Sequence, residues 1–273
     1  MSSVITLPQY TANDLDYPLT YTEAGSGQPL LLIHGSLCDY RYWRWQVPAL
    51  SQHLRVLAPS LRGYWPNALQ TESPLFCEAQ HTRDMIDFIR GHLAGNPVHV
   101  VGHSRGAHIA LELACQAPEL VGSLTLADPG LRLGEESNSH EFLREVAGKL
   151  TENDLEGALT QFMDTVNGAG TWRHLVSWFK TMVRDNAYTL LSQINDLDLS
   201  FDLKRTEQIT CPVLLLGGAN SPQRYANVLD ALEPRLRHVE RSTIALAAHG
   251  MNVANPKAFN ERLLQFIKST NAD

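Results

Sequence analysis

The sequence of 273 residues predicts an α/β domain on a mostly parallel sheet, interrupted by one all-helical insertion. Three observations carry that prediction. Strand and helix patterns alternate along most of the chain, the signature of a parallel sheet covered on both faces. Several strand candidates are continuous apolar runs, such as Leu30-Leu31-Leu32-Ile33 and Val213-Leu214-Leu215-Leu216, as expected for strands buried on both sides. Between Pro129 and Cys211 the alternation stops and only helical patterns remain.

Taken in order, strands are expected at Leu19 to Glu23, Leu30 to His34, Arg55 to Pro59, Val98 to Gly102, Ser123 to Asp128, Val213 to Gly217 and Arg237 to Glu240. Helices are expected at Tyr42 to Gln52, Leu75 to Leu93, Arg105 to Ala117, Gln223 to Leu232 and Pro256 to Lys268. Inside the interval, apolar spacing predicts helices around Glu141 to Leu150, Asp154 to Val166, Thr171 to Arg184 and Asn186 to Ile194. A connection of ~80 residues is too long for a structureless loop and reads as a lid over the strand ends. The expected division is therefore a core of residues 1–129 and 211–273 and a cap of residues 130–210. Phe162, Met163, Trp172, Trp178, Phe179 and Met182 supply the apolar mass of the cap, and Trp172 and Trp178 are candidates to line a substrate pocket.

Composition narrows the function classes. Apolar residues at 44% and charged residues at 19% are an ordinary globular balance. A net charge of -7 and a pI near 5.9 offer no basic surface, so nucleic acid is not an expected partner. Cys38, Cys77, Cys115 and Cys211 are scattered without a C-x-x-C pair, suggesting neither a zinc site nor a disulfide framework. Met1 to Tyr10 has no basic segment followed by an apolar core, and no apolar run reaches ~20 residues. The expectation is a cytoplasmic, soluble protein, monomer or homodimer, acting on a small molecule. Neither a metal-ligand cluster nor a nucleotide-binding glycine loop is apparent, so no cofactor is expected.

The most informative segment is Gly102-His103-Ser104-Arg105-Gly106, which joins the apolar run Val98 to Val101 to the helical pattern Ala107, Ala110, Leu111, Ala114. A serine at the tip of a strand-turn-helix is held in a strained conformation with its hydroxyl exposed, and small residues two positions before and after keep neighbouring chain away. Glycine stands at both.

Together with Leu31-Leu32-Ile33-His34-Gly35-Ser36 and with Ala248-His249-Gly250-Met251 followed by Asn255-Pro256-Lys257-Ala258-Phe259, this segment makes the sequence resemble the α/β-hydrolase fold superfamily with a helical cap, in its esterase and carbon-carbon hydrolase branch. The likeness covers nearly the whole chain and implies an eight-stranded-type sheet carrying a nucleophile, an acid and a histidine in that chain order. A serine needs a base within hydrogen-bond reach and a third group to fix that base. The resemblance assigns Ser104 as nucleophile and His249 as base. The oxyanion donors it implies are the N–H of Arg105 and the N–H of Ser36 or Leu37.

The acid departs from the usual pattern. Most relatives place it after the strand corresponding to Val213 to Gly217, but here that turn reads Gly217-Gly218-Ala219-Asn220-Ser221-Pro222. Some relatives place it one strand earlier, which selects Asp128; its structural alternative is a turn-capping aspartate before Pro129. Asn220 is the competitor, able to orient an imidazole but not to stabilise its charge. At Ser60-Leu61-Arg62-Gly63-Tyr64-Trp65, relatives commonly have aspartate in place of Ser60, and Arg62 reads as structural, with an anchor for a substrate carboxylate as the alternative. The cluster Tyr40, Tyr42, Trp43 and Trp45 follows the oxyanion segment; Trp43 and His103 are further candidates to line the pocket, which favours a substrate with an apolar or aromatic body.

Serine at the nucleophile position sets the chain apart from dehalogenases and epoxide hydrolases of this fold, which use aspartate. The leading expectation is a carboxylesterase-like serine hydrolase acting on a small carboxylic ester, or a related lactone, thioester or carbon-carbon bond beside a ketone. The alternatives are a cofactor-free dioxygenase of the same fold, which His103 and Asp128 also suit, and a non-catalytic ligand receptor.

Overall fold

In the computed structural model, which describes residues 6–133, 138–197 and 200–270, the apolar runs become the interior of one sheet. Its strands are β1 (Tyr10–Ala12), β2 (Leu19–Ala24), β3 (Pro29–Ile33), β4 (Arg55–Pro59), β5 (Val98–His103), β6 (Val121–Ala127), β7 (Val213–Gly218) and β8 (Val239–Ile244). They lie in the order β1-β2-β4-β3-β5-β6-β7-β8. β1 and β2 pair antiparallel, β2 pairs antiparallel with β4, and every other pairing is parallel. Leu30 to Ile33 and Leu214 to Leu216 are wholly buried, as their unbroken apolar runs require.

Helices outside the long interval are α1 (Val47–Leu50), α2 (Glu78–His92) and α3 (Arg105–Gln116), followed beyond it by α9 (Gln223–Leu232), α10 (Met251–Ala254) and α11 (Pro256–Thr270). Within the interval lie α4 (Asn138–Thr151), α5 (Leu155–Asn167), α6 (Thr171–His174), α7 (Ser177–Asp185) and α8 (Thr189–Gln193), with no strand among the described residues. Residues 134–137 and 198–199 of the expected cap lie outside the described residues.

Several elements shift at their ends by two or three residues, and four departures have a physical reason that can be named. β1 spans three residues at the sheet edge, too short for a periodic pattern. The helix expected over Tyr42 to Gln52 becomes a 3₁₀ turn at Tyr40–Trp43 and the short α1, whose start Pro48 fixes. The helix over Thr171 to Arg184 divides at Leu175 and Val176, both extended. The last strand begins two residues late and runs on to Ile244, following its pairing with β7 rather than its own half-exposed sequence.

Two apolar cores fill the two faces of the sheet. One packs α2 and α3 through Phe88, Ile89, Ile109 and Leu113; the other packs α1 and α11 through Leu50, Phe259, Leu263 and Phe266. The second core continues into the insertion through Leu159, Phe162, Met182 and Leu190. Polar ties reinforce that join. Asn186 Nδ2 donates to Asp39 at 2.8 Å, the Trp65 N–H donates to Asn186 Oδ1 at 2.7 Å, and Arg41 bridges Asp39 and Asp185. Cys77 offers no side-chain cap to the start of α2, and Asp196 from the insertion accepts the Glu78 N–H instead, at 3.1 and 3.2 Å.

Candidate active site

At the end of β5 the chain turns through Ser104 (φ 55°, ψ -121°) into α3. A left-handed serine is costly unless its surroundings enforce it. Here the Ser104 N–H donates to the Ala127 carbonyl and the Ser104 carbonyl accepts from Gly130, both at 3.0 Å. The flanking glycines are required by close approach: a Cβ on Gly102 would lie 2.3 Å from the Gly106 carbonyl oxygen, and one on Gly106 would lie 2.3 Å from the Ile33 carbonyl oxygen. Two more non-glycine residues adopt positive φ at neighbouring strand ends, Leu37 at 60° and Asp128 at 40°. Strain thus collects at the carboxyl edge of β3, β5 and β6, where the sequence expects chemistry.

His249 comes from the loop before α10, and its Nδ1 lies 3.3 Å from Asp128 Oδ2. That carboxylate therefore fixes the tautomer, with the proton on Nδ1 and the lone pair on Nε2. Asn220 takes no part in this contact, and its backbone N–H donates to the Ala247 carbonyl. Its neighbour Ser221 instead donates to Asp128 Oδ2 at 2.5 Å. Sequence reading missed Ser221, though it lies in the loop where an acid was sought. It also missed Tyr225, whose ring stacks on His249 at 4.1 Å with an interplanar angle of 12° and whose hydroxyl is 3.2 Å from Nε2. Ser104 Oγ makes no hydrogen bond among the described residues.

Burial governs the charges here. It pushes Asp128 up to about 6 against the pull of the Ser221 hydroxyl, and pushes His249 down to about 3, with Arg224 adding to the effect. His103 is driven down to about 3 by burial and by His249, whose carbonyl accepts from its Nε2 at 2.7 Å. Neutral His249 is the form that can accept a proton.

Two chambers meet at Ser104. The smaller, about 40 Å³, is lined by Gly35, Ser36, His103, Ser104 and His249 with apolar residues of α5 and α7. The larger, about 210 Å³, is lined by Ser36, Ser104, Arg105, Tyr225 and residues of the insertion. An alpha/beta hydrolase family model matches residues 30–262, most of the chain and all of this site. The chain belongs to the alpha/beta hydrolase family.

Some relatives of this alpha/beta hydrolase span more than nine-tenths of its length. A soluble epoxide hydrolase from Corynebacterium sp. strain C12 is 26% identical, covering 98% of this chain and 99% of its own. The (E)-2-((N-methylformamido)methylene)succinate hydrolase of Acinetobacter baylyi is 23% identical over 92% and 94%. The crystal structure of a hydrolase from Pseudomonas aeruginosa PA01 superposes with a TM-score of 0.80 at 21% identity, covering 97% and 99% of the two chains, a likeness of fold.

The remaining expected site residues divide cleanly. Ser36 and Ser104 line both chambers, Arg105 the larger and His103 the smaller; Leu37 is buried beside them. Arg105 opens α3, so its N–H has no intrahelical acceptor and points from the helix start. Trp43, Trp172 and Trp178 line neither chamber. Trp43 is fully buried against Phe259, Trp172 donates to Glu156 at 3.3 Å, and Trp178 packs under Arg44. Arg62 is committed to Asp84 at 2.7 Å, and Ser60 Oγ accepts the Tyr40 N–H at 3.3 Å. No helix among the described residues is long and apolar enough to cross a membrane.

On the wall of the larger chamber stands a buried ionic group that the sequence did not suggest. Arg105 pairs with Asp196 at 2.6 Å and Glu78 at 3.1 Å, and His108 pairs with Glu78 at 2.7 Å. Behind it, Glu112 is held by Arg205 at 2.5 Å. These partners outweigh burial and push His108 up to about 9, while Glu112 is held down to about 2.

Proposed function

We propose that this alpha/beta hydrolase is a serine hydrolase that cleaves a small carboxylic ester, or a related lactone, thioester or carbon-carbon bond beside a ketone. The contact of His249 Nδ1 with the relocated acid Asp128, beside a serine held at a strained strand end, carries this reading. Ser104 Oγ attacks the carbonyl carbon while His249 Nε2 takes its proton, and Asp128 stabilises the imidazolium that forms. The negative oxygen is met by the N–H of Arg105 and that of Ser36 or Leu37. His249 then delivers the proton to the leaving oxygen, the carbon–oxygen bond breaks, and water releases the acyl group through the same steps. In the resting state Nε2 faces Tyr225, so substrate entry must bring Ser104 into its place, a tightening typical of catalytic hydrogen bonds. The helical insertion acts as the cap that closes over both chambers.

The relatives' names fit this only in part. An epoxide hydrolase of this fold attacks with aspartate, and the corresponding position here is Ser104, so epoxide opening is not carried over. The test is acid release from short-chain methyl esters followed by pH-stat, with an oxygen electrode in the same vessel. Turnover lost in Ser104→Ala supports the hydrolase; oxygen uptake, or tight ligand binding without turnover, refutes it.

A further inference from the structure

The larger chamber is electrostatically unbalanced. Among the described residues, those of its lining that carry charge are Arg105, His108, Arg132 and Arg224 against Glu78 and Asp196. Both carboxylates are engaged, Glu78 by Arg105 and His108 and Asp196 by Arg105. Arg132 and Arg224 have no carboxylate partner among the described residues. Arg224 donates to the Thr165 carbonyl at 3.1 Å and the Tyr225 hydroxyl at 3.0 Å. Arg132 Nε and Nη1 are sealed from solvent and have no hydrogen-bond partner among the described residues. Unpaired buried donors on a cation are expensive and ask for an explanation. A cationic surplus in a protein of net charge -7 does not come from composition.

The chambers also divide the substrate. His249 must hand its proton to the leaving group, and it lines only the smaller chamber, where about 40 Å³ holds no more than a small alcohol. The acyl part then extends into the chamber of about 210 Å³, past the apolar walls of Leu131, Leu133, Phe142 and Val228, toward the arginines. Resting on the reading of Ser104 as nucleophile, we propose that the substrate is a small-alcohol monoester of a short dicarboxylic acid, its free carboxylate held by Arg132 with Arg224 at the chamber wall. The guanidinium fork suits a carboxylate by bidentate bonding. The overall step is monoester plus water to dicarboxylic acid plus alcohol.

The experiment compares the monomethyl esters of succinate, glutarate and adipate with methyl esters of monoacids of equal length, in wild type, Arg132→Gln and Arg224→Gln. Wild type is expected to prefer the best monomethyl ester of a dicarboxylic acid at least tenfold in kcat/KM, mainly through KM. Arg132→Gln is expected to reduce that preference at least tenfold, and Arg224→Gln to reduce it less, in the same direction. Equal kcat/KM for the two classes in wild type, or an undiminished preference in Arg132→Gln, overturns the proposal. Labelling of Ser104 by a fluorophosphonate verifies that each variant is folded. Should neither ester class turn over, the hydrolase reading fails separately, and calorimetry with glutarate decides the anion pocket: binding weakened at least tenfold in Arg132→Gln upholds it, and no binding to wild type overturns it.

Discussion

His249 and His108 face the two chambers that meet at Ser104, and their surroundings drive them in opposite directions. Burial disfavours the charged form of both. For His108 it is outweighed by Glu78 at 2.7 Å and Glu112 at 3.8 Å, and the ring is pushed up to about 9. His249 also has a carboxylate, at 3.3 Å, yet burial carries it down to about 3 and carries Asp128 up to about 6. The difference lies in what holds each carboxylate. Glu78 and Glu112 are each shared with an arginine and stay ionised; Asp128 has the Ser221 hydroxyl and a histidine, but no arginine pair among the described residues. A buried carboxylate with its own cation makes a permanent structural charge, whereas one without leaves its partner near neutrality and free to exchange a proton.

Substitutions on the His249 side act on turnover. Ser104→Ala is expected to lower ester turnover by ~10⁶, measured as kcat on methyl esters, with melting temperature little changed. Asp128→Asn is expected to cost ~10⁴ in kcat. Its effect on stability has a defined sign. The folded-state value of about 6 lies above the usual 3.8, so the ionised carboxylate opposes folding increasingly as pH rises through that window. Asp128→Asn should therefore melt higher than wild type at pH 8 and not at pH 4. Asn220→Ala, by contrast, should leave kcat within about twofold, because that side chain stands outside the contact.

On the His108 side the same kind of substitution acts on folding. Glu78→Gln leaves Arg105 and His108 short of a carboxylate and is expected to destabilise the protein by ~3–5 kcal/mol, a fall of roughly 10 °C by calorimetry. His108 has a folded value above its reference of 6.5, so its contribution is complete below pH 6.5 and is lost as pH rises through 9. In His108→Gln, the decline in melting temperature between those two pH values should flatten, removing up to ~3 kcal/mol of pH-dependent stability. The smallest effect sharpens the contrast from the other side. Acid inhibition of kcat/KM is expected near pH 6, as Asp128 protonates, and Ser221→Ala should move that limb upward because the hydroxyl is the foremost of the groups that lower it. A limb unmoved by Ser221→Ala would assign it to another group.

The strained turn at Ser104 was legible because its constraint is local. Gly102 and Gly106 are needed by contacts with the turn itself and with the end of β3, and the apolar run and helix on either side are contiguous in sequence. The buried strands were legible because burial on both faces leaves no room for polar residues. Ser221 and Tyr225 were not, since each acts across 93 and 24 residues of chain to Asp128 and His249, and nothing in their own neighbourhood marks them. The tryptophans misled for the complementary reason: apolar side chains at helical spacing look alike whether they face a pocket or a core.

By itself, then, the sequence determined the alternation of strands and helices, the all-helical insertion and the strained serine, all of which rest on periodicity and close contacts between near neighbours. Tertiary structure alone decided that Asp128 rather than Asn220 meets His249, that two chambers open on either side of Ser104, and that basic and acidic residues of separate segments line one of them. Charge states belong to that second group. They depend on which partners the fold brings within ~4 Å and on how much water it removes, and neither is written in the order of the residues.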